Sequence, residues 1–110
     1  MYEKRYHLFL EYVLESISLI EEYTADKKKK EILASQQLQD AVIKIIEIIG
    51  GAVKQIDEVF IESHHEIEWK KIAGFRDILI HRYFSIDWDI VWDIIQNKVP
   101  ELREKINKMT

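Results

Sequence analysis

The chain lacks cysteine altogether and has only one proline and three glycines among its 110 residues. The absence of cysteine excludes disulfides, thiolate chemistry and cysteine-ligated zinc sites, and it is compatible with the cytoplasmic location that we expect. With so little glycine and proline, the chain can form few tight turns. This composition favours long helices over sheets.

Long hydrophobic runs and an excess of positive charge are also missing. No apolar run approaches the roughly 18 residues that cross a bilayer, and no long apolar stretch follows the charged residues near the N-terminus. We therefore expect neither a membrane span nor a secretory signal. The net charge of −4 argues against a broad nucleic-acid surface, although a few cations could still surround one phosphate. We expect residues 1–110 to form a single domain.

Apolar residues recur at helical spacing in four segments. The first stripe consists of Tyr6, Leu10, Val13, Ile17 and Ile20. The second consists of Leu38, Val42, Ile45, Ile49, Ala52 and Ile56. The third helix starts near Ile67, runs into Tyr83 and buries Ile72, Phe75 and Leu79. The fourth carries Val91, Ile94, Ile95, Leu102 and Ile106. The pattern predicts an all-α, four- to five-helix up-and-down bundle.

Several local features sharpen this prediction. The second helix is so apolar that part of it should be buried against a second copy of the chain, which gives a homodimer. The Gly50–Gly51 pair predicts a close backbone approach or a local bend. Asp87 or Ser85 is the expected N-cap of the fourth helix, and Pro100 should kink or divide that helix. The four lysines of residues 27–30 are interpreted as a solvated loop or helix start.

The segment from Arg76 to Tyr83 concentrates the chemistry-bearing side chains. Arg76 offers a permanently charged planar fork that fits a phosphate, and His81 can exchange a proton near neutral pH. At about 100° per residue, Arg76 and His81 lie about 140° apart around a regular helix. Either the helix loosens near His81, or the same residues of a second subunit complete the site.

The pattern Arg-x-x-x-x-His-x-Tyr on the third helix of a small bundle resembles the signature of the HEPN superfamily, and more narrowly of the HepT-like toxins. The resemblance extends from about Leu33 to Ile106, and the segments that carry it are 39–42, 49–52, 68–76, 83–87, 91–92 and 99–102. It implies a homodimeric endoribonuclease that needs no metal or cofactor and is paired with a minimal nucleotidyltransferase antitoxin.

The resemblance also implies roles for four residues. His81 would act as general base or acid on the ribose 2′-hydroxyl, and Arg76 would stabilise the charge that builds on the adjacent phosphate. Asp77 would orient one of these two catalytic residues. Tyr83 matches the tyrosine that such antitoxins modify with AMP, and its modification would block the site.

Two positions depart from the family pattern. Gly51 stands where a glutamate is common, and Arg82 stands where a small residue is common between the histidine and the tyrosine. These departures leave two other hypotheses open. The chain could be a non-catalytic HEPN module that binds a nucleotidyltransferase or a nucleotide, or a purely structural helical dimer.

Other chemistry-bearing residues have simpler interpretations. His64 and His65 are adjacent and point to different sides, so a solvated joint over residues 61–66 is favoured over a metal site. The tryptophans Trp69, Trp88 and Trp92 could stack on bases, but they are interpreted as packing residues of a thin core.

Overall fold

The computed structural model describes the backbone of residues 2–81 and 86–109, and the side chains of residues 7–77, 79 and 86–109. The elements in chain order are α1 (Tyr2–Thr24), α2 (Lys29–Leu33), α3 (Gln36–Lys54), α4 (Glu58–Ser63), α5 (Trp69–His81), α6 (Trp88–Asp93), a π-helical turn (Ile94–Lys98) and α7 (Val99–Met109). The predicted all-α bundle is confirmed. None of the described helices is long and apolar enough to span a membrane.

Helix α3 lies at the centre of the bundle. Helix α1 packs along it on one side, α5 packs along it on the other, and α7 returns to contact α1. The core between these helices is almost entirely aliphatic, and its most deeply buried members are Val13, Ile17, Ile20, Ile32, Val42, Ile46, Val53, Leu79, Val91 and Ile106. Each such side chain contributes about 1.5–3 kcal/mol when it is fully buried, so this core supplies most of the stability of the fold.

The start of the bundle shows how helices end in a chain with little glycine. Asp26 adopts a positive φ of 59°, a conformation that aspartate tolerates better than most residues, and α1 ends just before it. Helix α2 then begins inside the lysine run, with Lys28 as its N-cap residue. Lys29 forms an ion pair with Asp89 at the start of α6. The interpretation of the lysines as a helix start is confirmed.

The connection between α3 and α5 differs from the prediction. Helix α3 ends at Lys54. Ile56 is buried as expected, but it lies in the loop after α3 and not in the helix. Instead of a plain joint, residues 58–63 form α4, whose N-cap Asp57 accepts a hydrogen bond from the Val59 amide at 3.0 Å. A six-residue helix makes fewer than two turns, so apolar periodicity cannot reveal it.

The predicted fourth helix is divided ahead of Pro100, as expected, into α6, the π-helical turn and α7. The N-cap of α6 is Asp87, whose carboxylate accepts a hydrogen bond from the Asp89 amide at 2.9 Å. The Val99 amide donates to the Ile94 carbonyl, five residues back, so the turn is a π turn. Because proline has no N–H and its ring clashes with the carbonyl four residues back, the wider turn lets α7 begin beside Pro100.

Candidate functional site

Helix α5 crosses α3 at a glycine, and this crossing fixes the stem of Arg76. A Cβ atom placed on Gly50 would lie 2.6 Å from the Cβ of Arg76 and 3.4 Å from the Ile72 carbonyl oxygen. Such an approach is too close for two real Cβ atoms, so only glycine allows the two helices to come this near. The predicted close approach at Gly50–Gly51 is therefore confirmed, and α3 continues through both glycines.

Gly51 is less restricted than Gly50. A Cβ atom at Gly51 would lie 3.8 Å from Nε and 3.9 Å from Cδ of Arg76, which is ordinary van der Waals contact. A larger side chain would therefore fit at this position. One of the two residues at which this chain departs from the family pattern thus lies directly beside the arginine, and a carboxylate there would border the guanidinium group.

Arg76 belongs to a small charged cluster at the same crossing. Lys54, near the end of α3, donates to the Asp77 carboxylate at 2.7 Å, and Nη1 of Arg76 lies 4.0 Å from the same carboxylate oxygen. The three side chains are 38–49% exposed. Counted over these three described side chains, two cations and one anion give the cluster a charge of +1 on a chain whose net charge is −4. This cluster can therefore attract one anionic group without much cost in stability.

Lys54 is the site residue that sequence analysis missed. It lies one helical turn beyond Gly50 on α3, so it comes to the same crossing as Arg76. Its position four residues after the first glycine of the pair was the available signal. Only the knowledge that α5 crosses α3 at Gly50 makes that spacing informative.

His81 is the last residue of α5, and the backbone stays α-helical up to it. Positions 76 and 81 therefore lie about 140° apart around the helix axis. The side chain of His81 lies outside the described part of the structure, as do Arg82 and Tyr83. The structure thus brings Arg76, Asp77 and Lys54 together, and the roles expected of His81 and Tyr83 stay predictions.

A groove of about 690 Å³ opens beside the charged cluster, between the end of α3, α4 and the start of α5. Its lining combines apolar side chains such as Val53 and Ile61 with three lysines and three glutamates, so the formal charges of the groove balance. Lys54 is the residue that the groove shares with the charged cluster of Arg76 and Asp77.

The joint between α4 and α5 is structural. Nδ1 of His64 lies 3.0 Å from the Phe60 carbonyl oxygen, and its ring stacks on Phe60 with centroids 4.2 Å apart. Trp69 is 4% exposed, and its indole N–H donates to the His64 carbonyl at 2.9 Å. Trp88 and Trp92 pack against the core as partly buried residues. The interpretation of the tryptophans as packing residues is confirmed.

The fold and the site define a helical-bundle protein whose arginine and histidine stand five residues apart on one helix. The chain belongs to the HepT-like ribonuclease family, because the family model described as Ribonuclease HepT-like matches residues 13–109.

Curated relatives agree with this assignment. A protein of Methanocaldococcus jannaschii named for a gamma-glutamylcyclotransferase and an RNase is 46% identical over 93% of this chain, which spans only 46% of that relative. Another protein of the same organism, named for an RNase, is 40% identical over 99% of this chain and 90% of its own length. The Probable ribonuclease HepT of Thermococcus cleftensis is 40% identical over 96% of this chain and 97% of its own length. No solved structure matches significantly.

Proposed function

We propose that this chain is an endoribonuclease that cleaves RNA without a metal ion, through Arg76 and His81. The observation that carries the proposal is the Gly50 contact, which fixes the stem of a half-exposed arginine beside Lys54. Family membership supports RNA as the substrate, and relatives named as ribonucleases point the same way.

In the proposed reaction, His81 takes the proton from a ribose 2′-hydroxyl. The 2′-oxygen attacks the adjacent phosphorus, the bond from phosphorus to the 5′-oxygen breaks, and the leaving 5′-oxygen takes up a proton. Arg76 binds the non-bridging phosphate oxygens, on which negative charge increases. The products are a 2′,3′-cyclic phosphate and a 5′-hydroxyl. DNA lacks the attacking hydroxyl and is therefore not a substrate.

We also propose that the active form is a homodimer. Because α5 stays helical through His81, positions 76 and 81 are not brought to one side by a loosened helix. Completion of the site by Arg76 or His81 of a second copy is then the simpler arrangement. The exposed Ile48, three residues before Gly51 on α3, supports burial of this part of the surface.

The biological role is the part of the proposal that rests most on the family. We propose that the chain is a toxin that acts in the cytoplasm and is held in check by a minimal nucleotidyltransferase antitoxin. The antitoxin would transfer AMP to Tyr83, two residues after His81. The added phosphodiester would compete for Arg76 and so prevent RNA binding. The substitution Tyr83→Phe should remove the modification seen by mass spectrometry on coexpression.

The experiment for the core proposal is incubation of total RNA with purified, unmodified protein in EDTA. His81→Ala should lower the cleavage rate at least about 100-fold, as is usual for loss of an acid–base group. His65→Ala is the matched control, because His65 is an exposed histidine outside the cluster. Wild-type products should carry 2′,3′-cyclic phosphate ends. Cleavage by His81→Ala at the wild-type rate would contradict the assignment of His81.

The second candidate function is a HEPN module that binds a partner or nucleotide without cleavage. The observation that favours it is Gly51, since no carboxylate stands beside Arg76 at that position. Under this alternative, unmodified protein would bind a nucleotidyltransferase or AMP but would release no RNA fragments. The same incubation with EDTA therefore separates the two functions.

A further inference from the structure

Helix α1 carries a second apolar stripe that faces away from the core. Leu8, Tyr12, Leu19 and Tyr23 are 40–49% exposed, although all four are large apolar or aromatic residues. At 100° per residue they lie within about 60° of one another, so they form a single line. Over 15 residue steps this line is about 22 Å long. We call these four residues the outer stripe.

A line of carboxylates borders the outer stripe on one side. Glu11, Glu15 and Glu22 lie about 20–60° around the helix from Leu8 and are exposed. None of the three forms an ion pair with a residue whose side chain the structure describes. The chain has no lysine or arginine from residue 6 to residue 26. Among the side chains that the structure describes, these three glutamates, which we call the acidic edge, have no ion-pair partner, so this border of the stripe is negatively charged.

The charge of the acidic edge restricts what can cover the outer stripe. RNA is repelled by carboxylates, so this face is not part of a nucleic-acid site. A second copy of the chain, paired antiparallel across a two-fold axis, would bring both acidic edges to the same side of the contact. Like charges placed together oppose that pairing. A complementary surface has to be apolar in its centre and basic at its border.

We propose that the outer stripe is a docking surface for an amphipathic helix of a partner protein, whose apolar line is bordered by lysine or arginine. The apolar side chains would supply most of the binding free energy, and the acidic edge would fix the orientation and exclude acidic competitors. The length of the stripe suits a partner helix of about four turns. The proposal is independent of RNA cleavage, because the outer stripe and its carboxylates share no residue with the charged cluster of Lys54, Arg76 and Asp77.

The probe for this proposal is a fluorescent 18-residue helical peptide with a leucine line bordered by lysines. A control peptide carries glutamate at the lysine positions. Fluorescence anisotropy should show that the lysine peptide binds and the glutamate peptide does not. Leu19→Ser should weaken binding at least about tenfold, which corresponds to loss of one buried leucine. Val59→Ser is the matched control, because Val59 on α4 is 70% exposed and lies off this face.

A second set of variants tests the acidic edge. Replacing Glu11, Glu15 and Glu22 by glutamine should weaken binding of the lysine peptide and reduce the salt dependence of its dissociation constant. Circular dichroism of each variant confirms that the helices are intact. Equal binding of both peptides, or unchanged binding to Leu19→Ser, would overturn the proposal. Loss of self-association by Leu19→Ser in sedimentation velocity would overturn it too, because the occupant would then be a second copy.

Discussion

The two sides of α3 make contacts of different kinds. Most of α3 packs into an aliphatic core, in which Ile17, Val42 and Ile46 are at most 2% exposed. Toward α5 it offers a glycine, and the backbone of one helix comes against the stem of Arg76. The first contact depends on filled volume and determines stability. The second depends on the distance between two helices and determines where a charged group lies. The predictions below separate these two roles.

The largest stability effect is expected on the aliphatic side. Ile46→Ala should lower the free energy of unfolding by about 2–5 kcal/mol, because it removes buried methyl groups and leaves a cavity. Ile46→Val, which removes a single methylene, should cost about 0.5–1.5 kcal/mol. Urea denaturation measures both. If the alanine variant costs no more than the valine variant, the aliphatic contact is not the main source of stability.

On the glycine side, Gly50 and Gly51 give a matched pair within one helix. Gly50→Ala should destabilise the fold by about 1–3 kcal/mol through the clash with Arg76, less about 1 kcal/mol of improved helix propensity. It should also reduce RNA cleavage, since Arg76 has to move. Gly51→Ala should stabilise by up to about 1 kcal/mol. Thermal melts and cleavage assays on both variants check this, and equal behaviour of the two would refute the role of the close approach.

The charged cluster should affect binding more than stability. Asp77→Asn raises the charge of the cluster from +1 to +2, so an uncleavable 2′-deoxy RNA analogue should bind more tightly at low salt. The free energy of unfolding should change by less than about 1 kcal/mol, because the pairs are exposed. Glu104→Gln, which removes another exposed and paired carboxylate, is the control. Tighter binding that persists at high salt would argue against an electrostatic cause.

The smallest effect is expected outside both contacts, on the surface of α7. Lys105 donates a hydrogen bond to Glu101 at 2.9 Å, and this bond and its charge lower the pKa of the Glu101 carboxyl. The stabilising contribution is therefore present above the ordinary carboxyl range and is lost as the pH falls through the lowered pKa. Glu101→Gln should slightly flatten the acid side of a plot of melting temperature against pH. An unchanged pH profile would mean that this ion pair makes no measurable contribution to stability.

Much of the fold could be predicted because apolar spacing reports which face of a long helix is buried. Apolar spacing predicts the helices that contain Ile17, Ile46 and Ile106, which are α1, α3 and α7. It does not predict α2 and α4, since helices of five or six residues are shorter than two helical turns. Asp87 was predicted as an N-cap because capping needs only a side-chain oxygen at one position, and this is a local property of the sequence.

The site was predictable only in part. Arg76 and Asp77 were found from residue chemistry and resemblance, and the glycine pair indicated a close approach without naming the partner. Lys54 was missed because its relation to Asp77 spans 23 positions and depends on how two helices cross. Spacing along one helix cannot report such a crossing. The assignments of His81 and Tyr83 stay predictions from the resemblance.

The π turn ahead of Pro100 determines which codon deletions this part of the chain can tolerate. A π turn inserts one residue into a helix while the segments before and after it keep their alignment. Deletion of one codon within residues 94–98 would therefore convert the turn into ordinary α-helix and leave the buried Ile106 on the same face. The proline ring would then meet a carbonyl four residues back. Such a deletion is expected to be tolerated only together with a codon change that replaces Pro100.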